Sequence, residues 1–298
     1  MRTYDKYTVA TEHEGLTVET YLKQIVQCSG RRLQKLTRAK GILLKGHNVF
    51  LQKKVKAGDI VQVLVMTDQA YGVQPEEGKI NVLYEDAQFI VLDKAAGQLV
   101  HPAGQTKEGT LANYLAHYFQ TKGILTTIRP LHRLDRDTSG CVAFAKDART
   151  QTEIEQQQQS GSFKRTYLAL VQGVLEQEGV IDEPIGLCPG KPNRRMIRSE
   201  GDQAITRFRT VQTLADVSLL ELSLTTGRTH QIRVHLAHIG HPILGDGMYG
   251  RRSAIIGRQA LHAATLSFTH PHTSQEVTVN APFPADMARV MERSSLFT

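Results

Sequence analysis

The sequence has no tryptophan, three cysteines and no long apolar run, and each shortage removes a class of protein. Cys28, Cys141 and Cys188 are odd in number and widely spaced, which argues against a disulfide framework and against a paired-cysteine zinc site. They are expected as reduced packing residues. No stretch approaches the roughly 18 apolar residues of a membrane span. The first residues, MRTYDKYTVATEHEGL, lack the apolar core of a secretory signal. A cytoplasmic protein without membrane contact is therefore expected. Acidic residues are missing from one region: between Arg31 and Lys56 there is none, against nine basic residues.

What is present suits a folded chain. Hydrophobic residues make up 40% and charged residues 22%, so neither disorder nor a fibrous repeat fits. A length of 298 residues leaves room for one large domain and a small one. Net charge is +7, and residues 1–70 hold 12 Lys or Arg against 6 Asp or Glu, so most of the excess lies in the first quarter. Such a block is either a solvated face or a surface for nucleic acid.

The segment SGRRLQKLTRAKGILLKGHNV reads as a short helix followed by small strands. Ser29 can cap the helix, and Arg31, Lys35 and Arg38 share one face while Leu33 and Leu36 point elsewhere. Gly41 ends it, and KGHN and KAGD mark turns. Residues 67–80, with glycine, proline and acidic side chains, read as a linker. From Asn81 the pattern is a mixed α+β body, with helices expected around 109–120 and up to Gly161, and strands at 163–174, 204–213 and 217–226.

Chemistry concentrates in PLHRLDRDTSG, residues 130–140. Asp137 sits in DTSG, where its oxygens can satisfy local backbone amides, so it reads as structural. Asp135, between Leu134 and Arg136, is the functional candidate. Two later segments accompany it, KRTYLALVQG at 164–173 and TGRTHQIRVHLAHIGHPILGDGMYG at 226–250.

These three motifs, in this order, resemble the RluA-type RNA pseudouridine synthases, with VLDKAAGQLVHP and LHAATLSFTHP as supporting text. The likeness covers residues 81–285. Residues 13–66, with the basic helix, ILLKGHNV and VKAGDIVQV, resemble a small ribosomal-S4-type RNA-binding module. The resemblance implies an α+β fold with a mixed, mostly antiparallel central sheet and flanking helices, behind a small S4-like domain. The divisions are then 13–66, a linker at 67–80 and a catalytic domain at 81–298.

It also implies an activity: uridine in RNA is isomerised to pseudouridine by breaking the N-glycosidic bond, turning the uracil and rejoining it through carbon 5. No cofactor or metal is implied. The family's essential aspartate falls on Asp135. Its arginine partner, placed on an HQIRVH strand, falls on Arg233, with Arg228 in reserve. A carboxylate in a partly dry pocket is driven towards its neutral form, and a neighbouring cation reverses that. Tyr167 matches the tyrosine that packs on the target base, and Arg133 the arginine proposed to fill the space of the flipped nucleotide. Arg31, Arg32, Lys35, Arg38, Lys40 and Lys45 are the expected RNA contacts of the small module, in a monomer acting on RNA, foremost large-subunit ribosomal RNA. Two positions depart from the family pattern: KPAG reads KAAG at Lys94–Gly97, and the lysine two before the tyrosine is Arg165.

Other readings are weaker. His230, His235, His238 and His241 invite a metal, but on a strand running into a loop i and i+3 do not share a face. GLCPGKP at 186–192 lacks the Ser or Thr of a phosphate loop. Asp135 and Asp137 lie too close in sequence to flank a sugar as a hydrolase pair. An inactive RNA-binding protein, or a synthase acting on transfer RNA, remain as alternatives.

Overall fold

A computed structural model describes residues 2–66, 68–175 and 178–295. The chain divides into two compact units, one ending at Asp68 and one beginning at Gln69.

The small unit holds β1 (Tyr4–Thr8), α1 (Val18–Gln24), α2 (Gly30–Arg38), β2 (Ile42–Leu44), β3 (His47–Asn48) and β4 (Ile60–Leu64). Its sheet runs β1-β4-β2-β3. The unit therefore starts earlier than residue 13, because β1 pairs with β4 along its whole length. Ser29 caps α2 by accepting the Arg32 N–H. Leu33 and Leu36 are buried beneath this helix, with Lys35 and Arg38 exposed above. It stops at Arg38, before Gly41: Lys40 takes the left-handed conformation at φ 50°. Gly41 serves close approach, since a Cβ there would lie 2.7 Å from that of Leu64. Lys45 and Gly46, both at positive φ, form the two-residue turn of the β2–β3 hairpin.

The large unit contains β5 (Asn81–Glu85), β6 (Phe89–Lys94), α3 (Leu111–Thr121), β7 (Arg129–Pro130), β8 (Ser139–Ala145), α4 (Ala148–Ser160) and β9 (Lys164–Gln172). These are followed by β10 (Glu178–Asp182), β11 (Ile185–Cys188), β12 (Lys191–Ile197), β13 (Ile205–Leu214), β14 (Val217–Leu224), α5 (Gln231–His238), β15 (Leu261–Thr269), β16 (Glu276–Asn280) and α6 (Ala285–Ser295). The main sheet is ordered β10-β13-β14-β9-β15-β8-β6-β5, with β16 on β15 and β7 on β8. One of its pairs, β15 with β8, is parallel, and the others are antiparallel. The fold is α+β with a mixed, mostly antiparallel sheet.

Both faces of the sheet are covered at β6 and β8, and the two-residue period sorts their side chains. Ile90, Leu92, Val142 and Phe144 enter one core with Leu111, Leu115 and Phe119 of α3. Phe89, Val91, Cys141 and Ala143 enter the other with Ile154 of α4. Burying side chains of this size contributes roughly 1.5–3 kcal/mol each. Asp147 caps α4 at its start, and Gly161, at φ 78°, ends it. At the centre, Gly140 lies against Ala263 of β15 so closely that any Cβ would overlap the Ala263 carbonyl.

Two expectations change. Thr67 lies outside the described residues, and the rest of the expected linker is not a free tether: Tyr71, Val73 and Ile80 pack on the first core, and the Gln74 carbonyl accepts a hydrogen bond from Asn113. HQIRVH is a helix, α5, not a strand. Its residues Gln231–Leu236 are all buried, so no polar face marks the helical period, and the alternation of Ile232, Val234 and Leu236 imitates a strand.

Candidate active site

Asp135 stands in the loop that leads into β8. Leu134 before it is anchored in the first core and His132 is buried, its Nε2 accepting the Ala143 N–H. Burial pushes that imidazole down to about 3, with Arg165 adding to the effect, so it stays neutral. A turn then closes, with the Thr138 N–H donating to the Asp135 carbonyl. Anchors on both sides fix the backbone and leave the Asp135 side chain 25% exposed in a cleft lined by Arg133, Tyr167, His230, Arg233 and Leu261.

Arg233 projects from α5 into this cleft. Its Nη1 lies 2.9 Å from Asp135 Oδ2. Its Nε and Nη2 grip Asp246 at 2.7 and 3.0 Å, a bidentate pair buried on both sides. Burial works against the guanidinium charge, but Asp246 and Asp135 outweigh it and hold the arginine above its ordinary value. Burial likewise works against the charge of Asp246, and Arg233 together with the Met248 and Tyr249 amides holds its carboxyl below the ordinary range. Tyr249 packs its ring 5.1 Å from the guanidinium carbon.

Tyr167 lies mid-sheet in β9, opposite Leu222 of β14 and Ala263 of β15, and is 5% exposed. Burial pushes its phenol up, so the hydroxyl stays protonated. Arg133 is exposed at the rim.

Other residues sit differently from their sequence-based expectation. Arg228, the reserve partner of Asp135, instead donates to the Gln203 carbonyl and lies 3.9 Å from Asp202. Among the described residues the Asp137 carboxylate makes no hydrogen bond to local amides; its carbonyl accepts from Arg258. The turn is stitched from outside by Lys94, a fully buried ammonium that donates to the carbonyls of Ala95, Gln98 and Arg136 at 2.7–2.8 Å. Burial pushes Lys94 down to about 7, against the pull of Asp137 and Asp135. Of the four histidines only His235 and His238 lie on α5, with His230 just before it and His241 beyond its end, and they face different partners. His230 meets Tyr249, His235 meets Thr206 and the Glu183 carbonyl, and His241 meets the Gln172 carbonyl. Among the described residues no group of three or more His, Cys, Asp or Glu is placed to hold a metal.

Asp246, Tyr249 and Lys94 were missed as site residues. The signal was present, since GDGMYG and DKAAG stood inside the quoted motifs, but nothing in a linear motif says which carboxylate an arginine meets.

In the small unit Arg32 is half-buried, and Lys35, Arg38, Lys40 and Lys45 are exposed. Lys45 is also committed to Asp59 at 2.7 Å. The Arg31 side chain lies outside the described residues. No helix of the described residues is long and apolar enough to cross a membrane.

Comparison with known proteins gives the same direction. The model of the family described as RNA pseudouridylate synthase matches residues 88–238. The Bacillus subtilis (strain 168) protein named uncharacterized RNA pseudouridine synthase YhcT is 39% identical over 93% of this chain and 92% of its own length. Ribosomal large subunit pseudouridine synthase D of Nitrosomonas europaea is 38% identical over 96% and 86%. Among solved structures, human RNA pseudouridylate synthase domain containing 1 superposes with a TM-score of 0.58 at 27% identity, over 70% of this chain and 86% of that one.

Proposed function

This chain belongs to the RluA-type RNA pseudouridine synthases, and on that premise we propose that Asp135 carries the reaction and that large-subunit ribosomal RNA is the substrate. The observation that supports Asp135 most directly is its 2.9 Å contact with Arg233, itself anchored on Asp246. A base or nucleophile beside a ribose has to be ionised, and a fixed cation supplies the counter-charge.

In this reading the target nucleotide leaves its stack, at a cost of a few kcal/mol, and enters the cleft over Tyr167. Arg133, exposed at the rim, takes the space the nucleotide vacates. The bond between N1 and the ribose breaks, the uracil turns, and C5 joins the ribose. The C5 proton is released and N1 gains one, so substrate and product have the same mass and no cofactor takes part. Asp135 acts either as a nucleophile or by abstracting a ribose proton; the same geometry serves both. The ribosomal assignment draws on the relatives named as large-subunit enzymes. The small unit, with Lys35, Arg38 and Lys40 exposed on and after α2, fits an S4-like module that holds RNA.

The test is Asp135→Asn beside Asp137→Asn. The first should fold and bind RNA while losing pseudouridine formation, read by mass-neutral isomerisation of labelled uridine. The second should keep most turnover. Retained activity in Asp135→Asn would sink the reading, and release of free uracil would mark a hydrolase. Mapping pseudouridines in RNA from cells with and without the gene identifies the substrate, and a site in transfer RNA alone would overturn the ribosomal assignment.

A further inference from the structure

His230, the residue before α5, holds a left-handed backbone conformation at φ 59° and ψ 19°. That conformation is uncommon outside glycine, and it persists only where surrounding contacts hold it. The contacts here are specific. Nδ1 lies 2.9 Å from the Tyr249 hydroxyl, and Nε2 lies 3.9 Å from Asp135 Oδ2, the oxygen that Arg233 also approaches.

Hydrogen-bond bookkeeping decides which nitrogen carries the proton. The Tyr249 oxygen already accepts the backbone N–H of Arg195 at 2.8 Å. A phenol has one proton to give, and His230 Nδ1 is its acceptor within reach among the described residues. Donating O–H to Nδ1 satisfies the tyrosine and leaves the proton of a neutral imidazole on Nε2. The reverse assignment would strand the phenolic proton and turn the Nε2 lone pair towards a carboxylate. Burial also holds this imidazole below its ordinary value, although Asp135 pulls the other way.

We propose that His230 is a positioning residue for Asp135: Tyr249 fixes the ring in its Nε2–H form, and that N–H is aimed at Oδ2, so that Oδ1 is the oxygen presented to the nucleoside. The inference rests on Asp135 being the reacting carboxylate. A gap of 3.9 Å is longer than a hydrogen bond, and such contacts commonly tighten in the substrate complex.

The decisive measurement is the nitrogen-15 spectrum of the histidine rings in the full chain, with His230 identified as the signal pair absent from His230→Gln. Nε2 should fall in the pyrrole-type range and Nδ1 in the pyridine-type range, and Tyr249→Phe should abolish that preference. Kinetics supply the second reading. His230→Gln keeps a donor near the Nε2 position and should stay within about threefold of the parent kcat, whereas His230→Asn, which keeps the Tyr249 side alone, should lose roughly tenfold with KM little changed. An Nδ1–H ring in the parent protein would overturn the proposal, as would equal losses in the Gln and Asn variants at equal thermal stability. Active Asp135→Asn would instead remove the premise while leaving the tautomer result standing, so the two failures are distinguishable.

Discussion

Arg233 gives Asp246 two parallel hydrogen bonds and Asp135 a single one. The division has a physical meaning, because the Asp246 side chain is 1% exposed and Asp135 is 25% exposed. The buried carboxylate sets the direction of the guanidinium, and the open one receives it. Asp246→Ala should therefore cost about 3–5 kcal/mol, the range for removing one partner of a buried ion pair. Asp246→Asn should cost less, since an amide oxygen still accepts. Urea unfolding and turnover measured on both variants check this, and a stable, fully active Asp246→Ala would show that Arg233 is held by other means.

Tyr167 separates packing from chemistry. At 5% exposure its ring is part of the core, so Tyr167→Ala should lose about 3–5 kcal/mol in addition to turnover. Tyr167→Phe keeps the ring and should retain both fold and most activity. If Phe proves as damaging to turnover as Ala while remaining folded, the hydroxyl has a part in the reaction.

Acid stability should report on Glu85. Burial raises the pKa of this carboxylate, but donors from Lys146, Tyr118 and Lys122 prevail and bring it from 4.5 to about 2. Between those values the unfolded chain binds more protons than the folded one, so the stability present above about 4.5 is lost as pH falls towards 2. Glu85→Gln should flatten that part of the stability profile. An unchanged slope would show that other carboxylates dominate the acid limb.

Replacing Lys35 and Arg38 by alanine in the full chain should weaken RNA binding and reduce the salt slope, by about one per phosphate contact removed. Phe50, 90% exposed and close in sequence to His47, Lys53 and Lys54, offers a reporter in a chain with no tryptophan. Emission from Phe50→Trp should change when a structured RNA is added. An unaltered slope would reduce the basic helix to a solvated face. Silent fluorescence with a normal slope would move the contact away from this turn.

The sequence alone determined a good deal. Its motifs put Asp135, Tyr167 and Arg233 forward as candidates, because short segments such as HRLD keep their spacing whatever the rest of the chain does, and the fold brings the three to one cleft. Local rules placed Ser29 and Gly161 at helix ends, where a cap depends on neighbours within a turn. Periodicity could not have corrected the strand expected at HQIRVH, which is the helix α5, since a helix buried on nearly every side shows no polar face to count. It was equally silent about partners. Arg233 meets Asp135 across 98 residues and Asp246 across 13, and sequence separation ranks neither. Arg228, the reserve cation in the same motif, turned instead to Gln203 and Asp202. Which charge meets which is decided by where the sheet and α5 bring the chain together, because an ion pair depends on distance and burial in space, and only the tertiary structure sets those.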